Sequence, residues 1–309
     1  MSTTPPPAAP GAGDAAQPGH GAGIAMMLAG VLLFAVNDTL GKWLVGGFTV
    51  GQLVLVRSIA GLMVMAPFIR RTGPVAFLSA PRPGLQLLRV FFSTLETSLF
   101  FWALVELPLA EVMTYYMAGP IYVTALSPWL LREPVGWRRW TAVVVGFCGV
   151  VLALHPSVES ISLGSLCALA GSFSYACFML ATRKLAAVPG TVLMTAQLVA
   201  ALLFGAVLVL AQGWTPPGAL DLVLMLFLGV GSLGGNLCVN RALHLAPASA
   251  VVPYQYTMIL WGVIFGYAFF GDLPDVLTLA GAALIIAAGM FIFLREQQLR
   301  GRRPKTERP

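Results

Sequence analysis

Ten apolar stretches, each near the length of a bilayer crossing, run from Ala22 to Leu294 with short links between them. They read 22–45, 49–69, 84–106, 109–131, 138–155, 161–182, 189–211, 219–243, 247–270 and 275–294, taken below as spans 1 to 10. A helix needs about 20 largely uncharged residues to cross roughly 30 Å of hydrocarbon. Mean hydropathy is +0.85, 58% of residues are hydrophobic and 10% are charged, far under the roughly 25% charged residues of an ordinary soluble domain. The pattern predicts an all-α integral membrane protein and excludes a soluble globular one.

Basic residues set the expected orientation. If span 1 starts on one side, the segments following spans 2, 4, 6, 8 and 10 return to that side, and they hold sixteen of the 18 Lys and Arg residues. Arg89, early in span 3, is counted with them; Lys42 lies on the opposite side and Arg57 inside span 2. The positive-inside rule then places both termini in the cytoplasm. The pI near 9.4 is a topology signal, and nucleic acid is not an expected partner. Residues 1–21, rich in Pro, Ala and Gly, are expected to be disordered. They lack the basic start of a secretory signal, so span 1 is expected to be retained. The basic tail, 295–309, suits an anionic lipid surface beside the last span.

Four cysteines, Cys148, Cys167, Cys177 and Cys238, show no metal or redox spacing. They read as small packing residues, and no cofactor or metal is expected.

The two halves repeat at an offset of about 140 residues. Ala103-Leu104 precedes Pro108 and Tyr115 as Ala242-Leu243 precedes Pro247 and Tyr254; Glu133 and Asp272 follow, then Gly149 and Gly289. Five spans per copy is an odd number, so the copies, 22–155 and 161–294, enter the membrane from opposite faces. Inverted repeats of this kind build many secondary transporters, with the substrate site near the midplane between them. Ten transmembrane helices as two inverted five-helix repeats is the expected architecture.

Several of these residues carry a family likeness. The Ala-Leu-x-x-x-Pro entry to span 4, Glu133-Pro134-Val135, Arg138-Arg139-Trp140 and Gly146 to Gly149, with their second-half counterparts from Asn240 to Gly289, resemble the EamA-like branch of the drug/metabolite transporter superfamily. The resemblance covers 22–294 and implies a ten-helix carrier in a bacterial inner membrane that moves an amino acid, a vitamin, a nucleotide derivative or another small metabolite. Glu111 departs from the small apolar residue usual at its place.

Ionisable and polar groups inside a span are functional candidates, because burying them costs several kcal/mol unless a cavity or partner compensates. Glu96 lies about 12 residues into span 3, roughly 18 Å from its start at 1.5 Å per residue, and is suited to proton coupling or substrate contact. Asp38 and Arg57 sit at equal depth on spans 1 and 2 and could pair, with Asn37 beside them; Lys42 offers Asp38 a second, i, i+4 partner. Asn236 and Asn240 stack on one face of span 8. Tyr115 and Tyr116 in span 4, Tyr175 in span 6, and Tyr254, Gln255 and Tyr256 in span 9 lie deeper than the interfacial belt. Together they suggest an amphipathic chamber for a partly apolar organic solute. Prolines 108, 120, 128, 247 and 253 make spans 4 and 9 candidate moving elements. Gly262 and Gly266 suggest close packing.

Other classes fit poorly. No His-Glu-x-x-His string occurs, which leaves an intramembrane enzyme a remote third alternative, and the lack of a Gly-x-x-x-x-Gly-Lys-[Ser/Thr] string excludes an ATP-driven pump for this chain alone. A secondary carrier is expected, coupled to protons or working as a facilitator or exchanger, and acting as a monomer or homodimer.

Overall fold

The computed structural model describes residues 18–73, 81–130, 136–154, 162–246 and 251–301. Among them the secondary structure is helical throughout. In chain order the helices are α1 Pro18–Val45, α2 Val50–Thr72, α3 Pro83–Glu106, α4 Leu109–Tyr116, α5 Gly119–Leu130, α6 Trp137–Leu154, α7 Leu163–Lys184, α8 Gly190–Gln212, α9 Ala219–Leu245, α10 Thr257–Phe265 and α11 Val276–Gly301. Seven helices are long and apolar enough to cross a membrane: α1, α2, α3, α7, α8, α9 and α11. Helix α1 already begins at Pro18, inside the stretch expected to be disordered; residues 1–17 lie outside the described region, as do Glu133, Pro247 and the tail beyond Gly301.

Spans 4 and 9, read as continuous from hydropathy, are interrupted. Span 4 is α4 followed by α5, joined at Met117 and Ala118. Pro120 has no amide hydrogen to offer the carbonyl one turn back, so the α-helical ladder cannot run through. Span 9 comprises a 3-10 turn, Val252–Tyr256, then α10, then a π-helical turn, Gly266–Phe270. Pro253 lies in the first of these turns.

Helices pair along their length as α1 with α9, α3 with α7, α2 with α8, and α6 with α11. Glycine makes this closeness possible, since lipid supplies no hydrophobic drive between helices and packing must do so. A Cβ on Gly281 of α11 would stand 2.6 Å from the carbonyl oxygen of Gly149 on α6, and one on Gly149 would stand 2.9 Å from that of Gly281. The contacts of α1 on α9 reappear in α7 on α3. Gly23 lies against Ala246 and Gly30 against Cys238, while Gly164 lies against Leu107 and Gly171 against Leu99.

The chain links gather at two opposite ends. At one, Gln52 donates to the Thr215 carbonyl at 2.7 Å and accepts from the Thr215 amide at 3.2 Å, while Glu106 accepts from the Gly164 amide at 2.6 Å. At the other, Arg89 is 3% exposed and donates to Thr182 Oγ1 at 2.8 Å, the Leu193 carbonyl at 3.0 Å and Gln197 Oε1 at 3.2 Å. Arg89, counted above as an interfacial cation, is thus a buried tie among α3, α7 and α8. Cys148 also departs from expectation: it is exposed, and the other three cysteines are half-buried.

Replacing Gly281 by Val should lower stability by about 1–3 kcal/mol, the usual cost of overpacking. Gly84→Ala, where nothing lies within 4 Å of the new methyl, should stay within about 0.5 kcal/mol of the parent. Thermal unfolding in detergent compares the two.

Candidate functional site

Three charged side chains meet inside the bundle. Asp38 on α1, Arg57 on α2 and Glu96 on α3 interact electrostatically with one another. All three are half-buried although each lies well inside its helix. Arg57 is held from two sides. Its guanidinium lies 5.4 Å from the centre of the Phe101 ring, and Nη2 is 3.5 Å from Ser232 Oγ of α9. Asp38 and Arg57 come near each other as expected, but without the direct ion pair: no described donor reaches the Asp38 carboxylate. Glu96 Oε2 accepts from the neighbouring Thr97 hydroxyl at 3.1 Å.

An aromatic wall adjoins this group. Tyr116 on α4 donates its hydroxyl to the Glu96 backbone carbonyl at 3.1 Å. Its ring meets Phe100 edge-on at 5.1 Å, and Tyr175 of α7 stands 6.5 Å away with Phe178 beyond it. Gly171 makes room for Tyr116, because a Cβ there would collide with the tyrosine hydroxyl. Tyr116 and Tyr175 therefore gather with Asp38, Arg57 and Glu96.

Other expected site residues are placed elsewhere. Asn37 is 4% exposed, and its Oδ1 has no hydrogen-bond partner; it abuts Gly231 of α9, where a Cβ would be 2.9 Å away. Tyr115 is 2% exposed and donates to the Ala153 carbonyl at 3.3 Å, which makes it a strut between α4 and α6. Tyr256 plays the matching part against Gly289 of α11. Tyr254 packs with Met27, Val31 and Ala242, and Gln255 is half-buried in the 3-10 turn. Asn236 turns its amide onto the Ser232 carbonyl at 2.8 Å, and both it and Asn240 are exposed. Lys42 does not pair with Asp38. Its ammonium lies 3.1 Å from Asp272 Oδ2 and 2.7 Å from the Leu107 carbonyl.

Sequence reading missed three participants. Ser232 is an unremarked serine in a glycine-rich helix, and Phe101 is one apolar residue among many. The Lys42 contact with Asp272 spans more than two hundred positions of chain, and no local pattern signals it.

Removing the cation that stands between two carboxylates should be costly. Arg57→Gln is expected to destabilise by on the order of 3 kcal/mol, and adding Asp38→Asn should restore part of the loss. Unfolding midpoints of the single and double variants in detergent check this.

Relatives share the whole length. The sequence profile of the EamA-like transporter family matches residues 21–155 and again 162–294. A riboflavin transporter of Vibrio cholerae is 28% identical over 274 residues, covering 87% of this chain and 92% of that protein. An S-adenosylmethionine uptake transporter of Rickettsia felis is 25% identical over 292 residues, covering 92% and 97%. One solved crystal structure superposes with a TM-score of 0.62 at 17% identity, over 90% of this chain and 99% of that one, a likeness of fold. Matched along both halves, this multi-pass membrane protein belongs to the EamA-like transporter family.

Proposed function

We propose that the chain is a secondary carrier that moves a small organic metabolite across a bacterial inner membrane by alternating access. In this reading ten spans form two inverted five-helix repeats, 22–155 and 161–294, with 1–21 and 295–309 in the cytoplasm. Spans 4 and 9 then correspond to the two interrupted helices, and the paired glycine contacts of α1 with α9 and of α7 with α3 are related by the same exchange of halves. The concentration of Lys and Arg on one side supports the orientation.

The observation that carries the reading is the half-buried group of Asp38, Arg57 and Glu96 beside Tyr116 and Tyr175. Charges kept inside a membrane bundle mark a substrate or ion pathway. Discontinuous helices near such a group are the usual setting of a transporter site. Rings from α3, α4 and α7 give a planar solute an apolar face, and the charged group gives its polar edge partners. Riboflavin and S-adenosylmethionine, the solutes named for the relatives, each combine a flat heterocycle with polar substituents and are the first compounds to test. Glu96, with a hydroxyl donor on one oxygen, is assigned proton coupling. Asn37, Tyr115, Asn236, Asn240, Tyr254, Gln255 and Tyr256 form a surrounding layer that repacks when access alternates.

Purified protein in liposomes should take up one of these solutes, or another metabolite of a panel, faster when a pH gradient is imposed. Glu96→Gln should abolish the effect of the gradient while leaving solute exchange. Equal dependence in the variant would remove the coupling role from Glu96, and uptake indifferent to the gradient in the parent would make the protein a facilitator or exchanger.

A further inference from the structure

Lys42 lies four residues after Asp38 on α1, so the two side chains share one face of the helix, about 6 Å apart along its axis. In this structure Lys42 reaches away from Asp38. Its ammonium bonds the Leu107 carbonyl at 2.7 Å and Asp272 Oδ2 at 3.1 Å, and it lies 5.2 Å from the centre of the Phe270 ring. These contacts tie the end of α1 to the link between α3 and α4 and to the segment after span 9. The lysine end of the tie is sheltered, with its side chain 13% exposed, while Asp272 stays accessible at 34%. Gly271, with φ 71°, makes the turn that presents Asp272. Beside the tie lies an open-sided cavity of about 470 Å³ lined by Lys42, Trp43, Val45, Leu104, Val105 and Phe270. The ammonium borders open space on this side.

We infer that Lys42 is a switch shared by two carboxylates, sealing this end of the bundle when held by Asp272 and resting on Asp38 when that end opens. The inference rests on the carrier reading. Opening this end pulls Asp272 from Lys42 and leaves an ammonium at the edge of the hydrocarbon, where an unpaired charge is costly. Asp38, one turn inward and without a donor of its own, is the acceptor within reach. Arg57 is already anchored on Phe101 and Ser232 and would be relieved of Asp38 by the arrival of Lys42. The reverse step follows. When a solute's donor or a proton engages Asp38, Lys42 gains nothing by staying and returns to Asp272, which closes the entrance behind the load. Lys42 thereby transmits the state of Asp38 to the seal.

The test is a cycle of variants read by accessibility. Leu104, 2% exposed in the cavity wall, is replaced by Cys in a background with the four native cysteines changed to Ala, and labelling by a membrane-impermeant maleimide is timed in liposomes. Asp272→Asn should speed labelling several-fold. Adding Asp38→Asn should reverse most of that gain, because the open state loses its acceptor. With Lys42→Gln in place, Asp38→Asn should have no such effect. The charge swap Lys42→Asp with Asp272→Lys should restore slow labelling, which also shows that the altered residues still fold into a sealed bundle. No reversal when Asp38→Asn is added to Asp272→Asn, or the same reversal with Lys42→Gln in place, would overturn the switch and show that Lys42 swings out to water instead. Solute uptake by the parent is measured in the same liposomes. Uptake without a Lys42-dependent reversal of labelling sinks the switch alone; absence of uptake for every metabolite sinks the carrier reading, whatever the labelling shows.

Discussion

Backbone meeting backbone is what the bundle depends on. In lipid an apolar side chain gains little by leaving hydrocarbon for protein, so helices associate where small residues let many atoms touch at once. Gly149 with Gly281 is the reciprocal case, each standing where the other's carbonyl leaves no room for a methyl. Gly205 against the Leu55 backbone and Gly51 against Leu208 bring α8 to α2, and Gly229 against the Arg57 carbonyl brings α9 to α2. This last contact places Ser232 within reach of the guanidinium. The charged group is therefore a product of glycine packing: a larger residue at 229 would push α9 away and leave Arg57 with one anchor fewer.

Within that frame the polar groups sort by whether their capacity is used. Along α2 to α7 most buried hydroxyls donate to the carbonyl one turn back, as Ser58, Ser98 and Thr114 do at 2.7 to 2.8 Å, and so close their own accounts within one helix. Arg89 does so across three helices. Asp38 and Asn37 do not, and an acceptor without a donor in a membrane interior is costly to keep. Asp38 carries this unmet capacity next to Arg57 and Glu96, and Asn37 beside it carries it against Gly231 of α9.

Much of this was legible beforehand because the bilayer imposes so few solutions. Hydropathy located the seven long helices, most of their ends to within a few residues, and Asp38, Arg57 and Glu96 stood out simply as charges where charges are expensive. The tyrosines were harder. Tyr115 and Tyr116 are adjacent in sequence and equal in depth, yet successive residues on a helix point about 100° apart. One faces α6 and is sealed, and the other reaches Glu96. Choosing between them needs the rotation of α4, which neighbouring helices set. The breaks in spans 4 and 9 were half visible through Pro120 and Pro253, since a proline weakens a helix without saying whether it will bend or stop. Arg89 was read only for its side of the bundle; the three acceptors from α7 and α8 that bury it lie about a hundred positions away in the chain, where no local pattern points to them.

The interruption at Met117 and Ala118 has a mechanical consequence. A continuous helix behaves as a stiff rod, and tilting one end sweeps the other through an arc. Two rods joined by a proline-weakened elbow share α7 as a neighbour, while α4 also answers to α10, where Gly262 nests on Met113 and Ala110. Leverage applied on one side of the elbow is absorbed there, and the far side keeps its seat. A protein that has to loosen one half of a crossing while holding the other is served by such a joint.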